Sequence, residues 1–500
     1  MIENIIAGAA LFADPASILA LLGGVLIGII IGAIPGMSTV MAVAVALPFT
    51  FVMPPVPAIL LLVGVYKGGM YGGSISAILI NTPGTPAASC TMLDGYPLAR
   101  QGRARIALQL ALYASVIGDI IANIALILLA AWLARFALHF GPPEQFALVV
   151  FSLTIVASVA GDQMLKGAIA AVIGLLLATV GTDLITGASR FTFDVTPLRA
   201  GVSLVPVLIG LFAIPEVIRI FMRTEQGREA VASLGEAGVR FRDMLAYWRT
   251  LARGSVVGVV LGVIPGLGAT PAAFLSYSEA RRNSDRPDSF GRGNPEGVVA
   301  AETGNSSVGS ATMIPLLALG IPGDVVTAVI LGAFMIHGLT PGPLMFQEHI
   351  TVIYALFIGL MAGSLFLLVV GRLAIPILGK LVNIRPSLLL PGVLVMCVYG
   401  SYAVNNSVFD VLTMFVMGVI GFIMTQYNVP RAPLLIAFVL GPLLENNFRQ
   451  SLLIGGGSVE FFFRGPITWA FWGLTVLSVI AVIAGTRRNA RRRIAEEGGS

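Results

Sequence analysis

Gly28-x-x-x-Gly32-x-Ile34-Pro35-Gly36 returns as Gly258-x-x-x-Gly262-x-Ile264-Pro265-Gly266, and each copy is followed by a second Pro-Gly pair. The second pairs are Thr82-Pro83-Gly84 and Ile321-Pro322-Gly323. All four lie in apolar sequence that is nearly free of charge. Proline removes a backbone donor and glycine loosens a helix, so each pair frees polar backbone groups. At membrane depth such a break is tolerated only where it is buried in protein or lines a cavity. Matching breaks in two halves of a chain are the best sequence pointer to a carrier's binding site.

Composition puts these breaks in a membrane. The chain has 500 residues, 57% hydrophobic and 11% charged, whereas a soluble domain carries about 25% charge. Mean hydropathy is +0.93. Residues 15–66, 68–93, 254–278, 350–371, 411–430 and 465–486 contain no Asp, Glu, Lys, Arg or His. About 20 apolar residues span the hydrocarbon, so the expectation is an all-α polytopic integral membrane protein with about 12–14 membrane segments. Such continuous runs are not the alternating strands of an outer-membrane barrel. Cys90 and Cys397 read as buried thiols, and neither they nor the three scattered histidines have metal-site spacing. Residues 1–14 hold Glu3 and Asp14 but no basic residue, so the first apolar segment is expected to be retained rather than cleaved.

The anchors divide the chain. Residues 1–218 read as a first membrane repeat and 219–253 as an Arg-rich cytoplasmic linker, with an amphipathic helix near Phe241–Trp248. Residues 254–486 read as a second repeat and 487–500 as a basic cytoplasmic tail. The first anchor shifts by 230 residues (Pro35 to Pro265) and the second by 239 (Pro83 to Pro322). The polar loop 281–296 accounts for the difference. Seven Arg precede the second copy of the motif and no Lys or Arg precedes the first, while Arg100, Arg103 and Arg105 follow only the first. The positive-inside rule then places matching loops on opposite sides. The repeats are expected to be inverted, with the N-terminus outside, the tail in the cytoplasm, and the site near the midplane between the halves. The net charge of +5 serves orientation rather than nucleic-acid binding.

Around the breaks cluster Ser38, Thr39, Asn81, Thr82, Thr85, Thr270, Asn305, Ser306 and Ser307. Half-helix N-termini aim backbone N–H groups at an anion, so amides near Gly36, Gly84, Gly266 and Gly323 are expected to hold a carboxylate. Freed carbonyls at the opposite ends suit a cation. The four glycines at positions 28, 32, 258 and 262 are read instead as close-packing positions. Intramembrane charge is a functional hypothesis by default. Lys67 is expected to receive a solute carboxylate, or else to snorkel or pair structurally. Asp324 and Asn305 are candidates for cation coupling. Glu302 is a third ionisable candidate, alternatively a cap of the helix that holds it.

An enzyme is not expected. Asp119 and Asp324 each follow glycine, but Gly320-Ile321-Pro322-Gly323-Asp324 lacks the Gly-x-Gly-Asp signature of intramembrane aspartyl proteases. No H-E-x-x-H and no phosphate loop of the form G-x-x-x-x-G-K-[ST] occurs, so the chain carries no ATPase engine. A passive anion channel stays open as an alternative, because broken helices also build selectivity filters, as does a carrier of non-carboxylate organic solutes.

Gly32-Ala-Ile-Pro-Gly36, Tyr71-Gly-Gly-Ser74, Asn81-Thr-Pro-Gly-Thr-Pro86, Asp94-Gly-Tyr-Pro-Leu98, Gly262-Val-Ile-Pro-Gly266, Leu319-Gly-Ile-Pro-Gly323 and His337-Gly-Leu-Thr-Pro-Gly-Pro343 together give a resemblance. The chain resembles the large membrane subunit of the tripartite tricarboxylate transporters, the TctA type. The resemblance implies a secondary carrier of the bacterial inner membrane. It implies two partners: a small four-helix membrane subunit (TctB type) and a periplasmic solute-binding protein (TctC type). It also implies carboxylate uptake driven by Na⁺ or H⁺, with no other cofactor. Lys67, Asp324 and Gly304-Asn305-Ser306 depart from the family's usual residues at the presumed site.

Overall fold

The computed structural model describes residues 2–158, 163–183, 186–222, 234–235, 237–381 and 386–480. Those residues are almost entirely helical. The N-terminal half runs α1 (Ile2–Ala13), α2 (Pro15–Ala33), α3 (Thr39–Ala46), α4 (Pro55–Ile80), α5 (Ala88–Leu98), α6 (Ala104–Ala137), α7 (Pro142–Ser158), α8 (Met164–Ala178) and α9 (Leu204–Met222). The C-terminal half runs α10 (Trp248–Val263), α11 (Ala269–Asn283), α12 (Pro295–Ala311), α13 (Met313–Leu319), α14 (Val325–Ile336), α15 (Met345–Glu348) and α16 (Ile350–Leu381). It ends with α17 (Pro386–Asn405), α18 (Val408–Gln426), α19 (Arg431–Ile454) and α20 (Pro466–Ile480). A two-residue hairpin pairs Gly181–Thr182 with Ser189–Arg190. Among the described residues, six helices are long and apolar enough to cross a membrane, and seven more apolar helices have 10–17 residues.

The breaks form where proline and glycine put them. Helix α2 stops before Pro35 and α10 before Pro265, because the residue ahead of proline is pushed out of the α region. Ile34 (φ −82°, ψ 122°) and Ile264 (φ −83°, ψ 116°) adopt the same extended cap. Gly36 and Gly266 both turn at φ 87°, a conformation costly for any side chain. The later breaks match as well. Asn81 (φ 56°, ψ 26°) and Gly320 (φ 72°, ψ 17°) cap their helices in the left-handed region, the role glycine and asparagine fill most readily. Thr82 N–H then donates to Ser76 O (3.4 Å), and Ile321 N–H to Pro315 O (3.3 Å).

The repeating glycines bring backbones together. A methyl group on Gly24 would stand 2.2 Å from Leu61 O, on Gly28 2.3 Å from Val65 O, and on Gly32 2.7 Å from Gly69 O. From α4, Gly64 and Gly68 meet Leu21 O and Val25 O just as closely. Helices α2 and α4 thus lie parallel along a seam with no side chains in it. Helix α10 lies parallel to α12 with Gly254, Gly258 and Gly262 against Thr303, Ser307 and Ala311. In a membrane, where apolar burial drives no helix association, such close approach supplies the packing.

The apolar segment near 37–53 resolves into α3 followed by a 3₁₀ turn over Leu47–Val52. In the linker, residues 241–247 form a 3₁₀ helix that buries Met244 and sets Phe241 edge-on to Tyr113, with centroids 5.3 Å apart. It is pinned to α6, since Arg105 N–H donates to Leu234 O (2.8 Å) and Val239 N–H to Gln109 Oε1 (2.6 Å). Residues 223–233, 236 and the expected basic tail 487–500 lie outside the described residues.

Candidate functional site

Helix α4 is buried from Val56 to Leu79, and its polar residues face α6 and α12. Lys67, 6% exposed, donates through Nζ to Asp119 of α6 and to Ser310 of α12 (3.1 Å). Ser310 Oγ donates to Asp119 Oδ1 (2.5 Å) and Ser364 Oγ of α16 to Asp119 Oδ2 (2.6 Å), while Asn123 Nδ2 donates to Ser364 Oγ (3.0 Å). The ammonium is therefore committed to a buried ion pair spanning four helices. Buried pairs survive when hydrogen bonds satisfy their remaining valences, and here hydroxyls do so.

Glu302 lies in the middle of α12, whose N-cap is Asn294, so it does not cap its helix. Its Oε1 accepts from Ser74 of α4 (2.5 Å) and from Thr91 of α5, and its Oε2 from Ser115 of α6 (2.9 Å). The residue is fully buried.

Asp324 caps α14. Its Oδ1 accepts from Thr327 N–H (2.7 Å), and its Oδ2 from the Tyr66 hydroxyl of α4 (2.6 Å). One carboxylate therefore joins the last break to the middle of α4.

At the first break, Ser38 N–H and Oγ both donate to Glu216 Oε2 of α9 (3.2 and 3.0 Å), and Arg219 donates to Gly36 O (3.1 Å). A protein carboxylate thus already sits on the N-terminus of α3. Gly84 N–H donates to Gly73 O (3.1 Å) and Gly266 N–H to Gly323 O (2.7 Å), so these amides are engaged too. Thr85 Oγ1 accepts from Ala88 N–H (3.2 Å), Thr82 Oγ1 donates to Ile80 O (3.2 Å), Asn81 is exposed, and Thr270 is half-buried in the first turn of α11.

Three expected site residues keep unsatisfied polar atoms inside the protein. Thr39 Oγ1 and Ser306 Oγ, 5% exposed each, have no partner, and the Asn305 amide nitrogen beside Glu302 makes no hydrogen bond of good geometry. Thr39 abuts Gly69 and Thr85 abuts Gly73 on one side of α4, while Met70 abuts Gly309 of α12 on another. Orphaned buried polar groups are costly and rare. Thr39 follows the first break directly, and Asn305 and Ser306 lie on α12, where Gly304 packs against Ala272 and Ser276 of α11.

Beyond this centre, Asp94 takes three backbone N–H groups on Oδ1, from Gly291 (2.9 Å), Gly293 (2.9 Å) and Asn294 (2.7 Å), and the Tyr277 hydroxyl on Oδ2 (2.7 Å). That nest fastens the polar loop ahead of α12 to α5. A cavity of about 560 Å³ reaches the last break at Gly320 and Ile321, with Gln145, Thr340 and Asn446 on its wall. A neighbouring cavity of about 470 Å³ carries Arg190, Arg199, Glu445 and Arg449.

Sequence reading passed over Asp119, Glu216 and Asp94 as site residues. The first two were visible as acids in or beside apolar runs. The intramembrane-charge rule points to them as it does to Lys67.

Comparison with known proteins decides the family. The sequence pattern described as "Tripartite tricarboxylate transporter TctA family" matches residues 18–436. The chain belongs to the TctA family. It is thus the large membrane component of a tripartite tricarboxylate transporter, a multi-pass membrane protein and not an enzyme. It is 35% identical over 494 residues to an uncharacterized 52.8 kDa protein of the TAR-I ttuC' 3' region of Agrobacterium vitis, covering 99% of this chain and 98% of that one. A second A. vitis protein, from the TAR-II ttuC' 3' region, is 35% identical over 237 residues, 47% of this TctA-family chain and 98% of its own length. No solved structure matches.

Proposed function

We propose that this chain takes up carboxylates across the bacterial inner membrane, using a Na⁺ or H⁺ gradient. A TctC-type periplasmic binding protein delivers the solute and a TctB-type four-helix subunit completes the membrane complex. The observation that supports this reading is the set of buried groups without a good hydrogen bond: Thr39 Oγ1 just after the first break, and Asn305 Nδ2 and Ser306 Oγ on α12. Donors that find no protein partner suit a solute rich in acceptors, as a di- or tricarboxylate is. Ser38, Thr82, Thr85 and Thr270 supply the rim, and Gly36, Gly84, Gly266 and Gly323 the bends that bring it together.

The architecture we infer is two inverted repeats, residues 1–218 and 254–486, with the N-terminus outside and the C-terminal tail in the cytoplasm. The matching dihedrals at Ile34 and Ile264, at Gly36 and Gly266, and at Asn81 and Gly320 support it. So does the parallel packing of α2 on α4 and of α10 on α12.

The test is radiolabelled citrate uptake by cells expressing all three components. Accumulation above the external level that collapses with an ionophore is expected. Equilibration without accumulation indicates a channel, and no movement of citrate, succinate or an aromatic acid sinks the carboxylate assignment.

A further inference from the structure

The structure holds two sealed carboxylates on one seam of three helices. Lys67 and Ser74 are two turns apart on α4, Asp119 and Ser115 one turn apart on α6, and Ser310 and Glu302 about two turns apart on α12. At 1.5 Å of rise per residue, the two clusters sit about 10 Å apart. One of them, Asp119, carries a tethered cation. The other, Glu302, carries none: among the described residues no Lys, Arg or His makes an ion pair with it. Its surroundings are hydroxyls from three different helices.

We propose that Glu302 is the coupling-ion site of this carrier, and that the ion is a proton. The proposal rests on the uptake reading above and names the ion for it. An uncompensated carboxylate in a sealed interior is costly, so charge has to reach it from outside the protein. The three hydroxyls lie within hydrogen-bond distance of the carboxyl oxygens, and among the described residues no group of three or more His, Cys, Asp or Glu side chains gathers there to hold a metal ion. A proton fits that geometry: it binds one carboxyl oxygen, and a serine or threonine hydroxyl turns from donating to accepting. Asn305, one turn along α12, then links the event to the solute. Its amide nitrogen is beside Glu302 but makes no hydrogen bond of good geometry, so a solute carboxylate that takes this amide also changes what faces the acid.

The titratable groups near Glu302 are few. Tyr71 of α4 and Cys90 of α5 interact with it directly, and Tyr113 of α6 acts through Tyr71. Helices α10 and α11 face this part of α12 with uncharged Gly254, Gly258, Ala272 and Ser276. Asp94 of α5 also acts on Cys90, and its own carboxylate is held by the amides of Gly291, Gly293 and Asn294.

The experiment has two arms on the full chain. In the first, the protein in lipid nanodiscs is titrated by infrared difference spectroscopy between about pH 5 and pH 9, a range spanning raised carboxyl values. A protonated-carboxyl band is expected that is lost in Glu302→Gln and shifted in Glu302→Asp. No Glu302-sensitive band overturns the proposal. So does a thermal-midpoint shift on exchanging choline chloride for NaCl that Glu302→Gln abolishes, because the site then takes sodium. In the second arm, citrate transport is followed in cells with both partner components. Glu302→Gln is expected to keep citrate exchange and to lose uphill accumulation, whereas retained proton-driven accumulation overturns the assignment. If the wild type moves neither citrate, succinate nor an aromatic acid, the uptake reading fails, and the infrared arm alone decides Glu302.

Discussion

Asp119 and Glu302 are both buried and both held by hydroxyls, two on the first and three on the second, yet only Asp119 has a lysine on it. Both draw on α4, α6 and α12. The difference shows how one bundle holds a charge for structure and leaves another available. With Lys67 in place, the Asp119 cluster is neutral and needs nothing from outside. Glu302 has every hydrogen bond a carboxylate needs but no counter-charge, so its state follows the medium that reaches it.

The largest effect is expected where neutrality is broken. Lys67→Met leaves Asp119 buried and unpaired, which costs about 3–5 kcal/mol. A large drop in the thermal midpoint in detergent is expected, and Lys67→Met with Asp119→Asn recovers most of it. Should the single and double variants unfold alike, Lys67 is free for the solute and the contrast with Glu302 disappears.

A smaller loss is expected at the glycine seam between α2 and α4. Gly28→Ala drives a methyl group to 2.3 Å from Val65 O. Overpacking of this kind costs about 1–3 kcal/mol. Gly23→Ala, with nothing within 4 Å, serves as control and should melt like the wild type.

Asp94→Asn weakens four hydrogen bonds to a buried charge. A loss of about 1–3 kcal/mol is expected, together with faster proteolysis of loop 284–294. A loop that stays protected would show that the nest does not fasten it.

The smallest stability effect is expected at Thr39→Val, which removes a hydroxyl that has no partner. The midpoint should move by less than about 0.5 kcal/mol equivalent, because deleting an unsatisfied group relieves its desolvation cost. Citrate uptake should nonetheless need a higher concentration for half-saturation. Unchanged uptake would detach Thr39 from the solute site and leave the polar centre to Glu302 and Asn305.

The breaks were legible in the sequence because proline and glycine act on their own backbone and nearest neighbours. Pro35, Pro265, Pro83 and Pro322 needed no partner to end a helix. The close-packing reading of Gly28, Gly32, Gly258 and Gly262 was available for a similar reason, since a missing Cβ permits close approach wherever the neighbour comes from. The site was less legible. That Ser38 and its amide serve Glu216 depends on a residue 178 positions away. That Lys67 serves Asp119 depends on one 52 away. Asp324 looked like a coupling residue, and its link to Tyr66, 258 positions earlier, appears only once α4 crosses the last break.

The sequence by itself determined a membrane bundle, its family and the places where its helices break, because composition and local backbone chemistry suffice for those. Which carboxylate has a cation and which does not was decided by tertiary structure alone. Ser74, Thr91 and Ser115 reach Glu302 across 228, 211 and 187 residues. Only the packed helices bring those hydroxyls to one acid, and only packing steers the single nearby ammonium to the other.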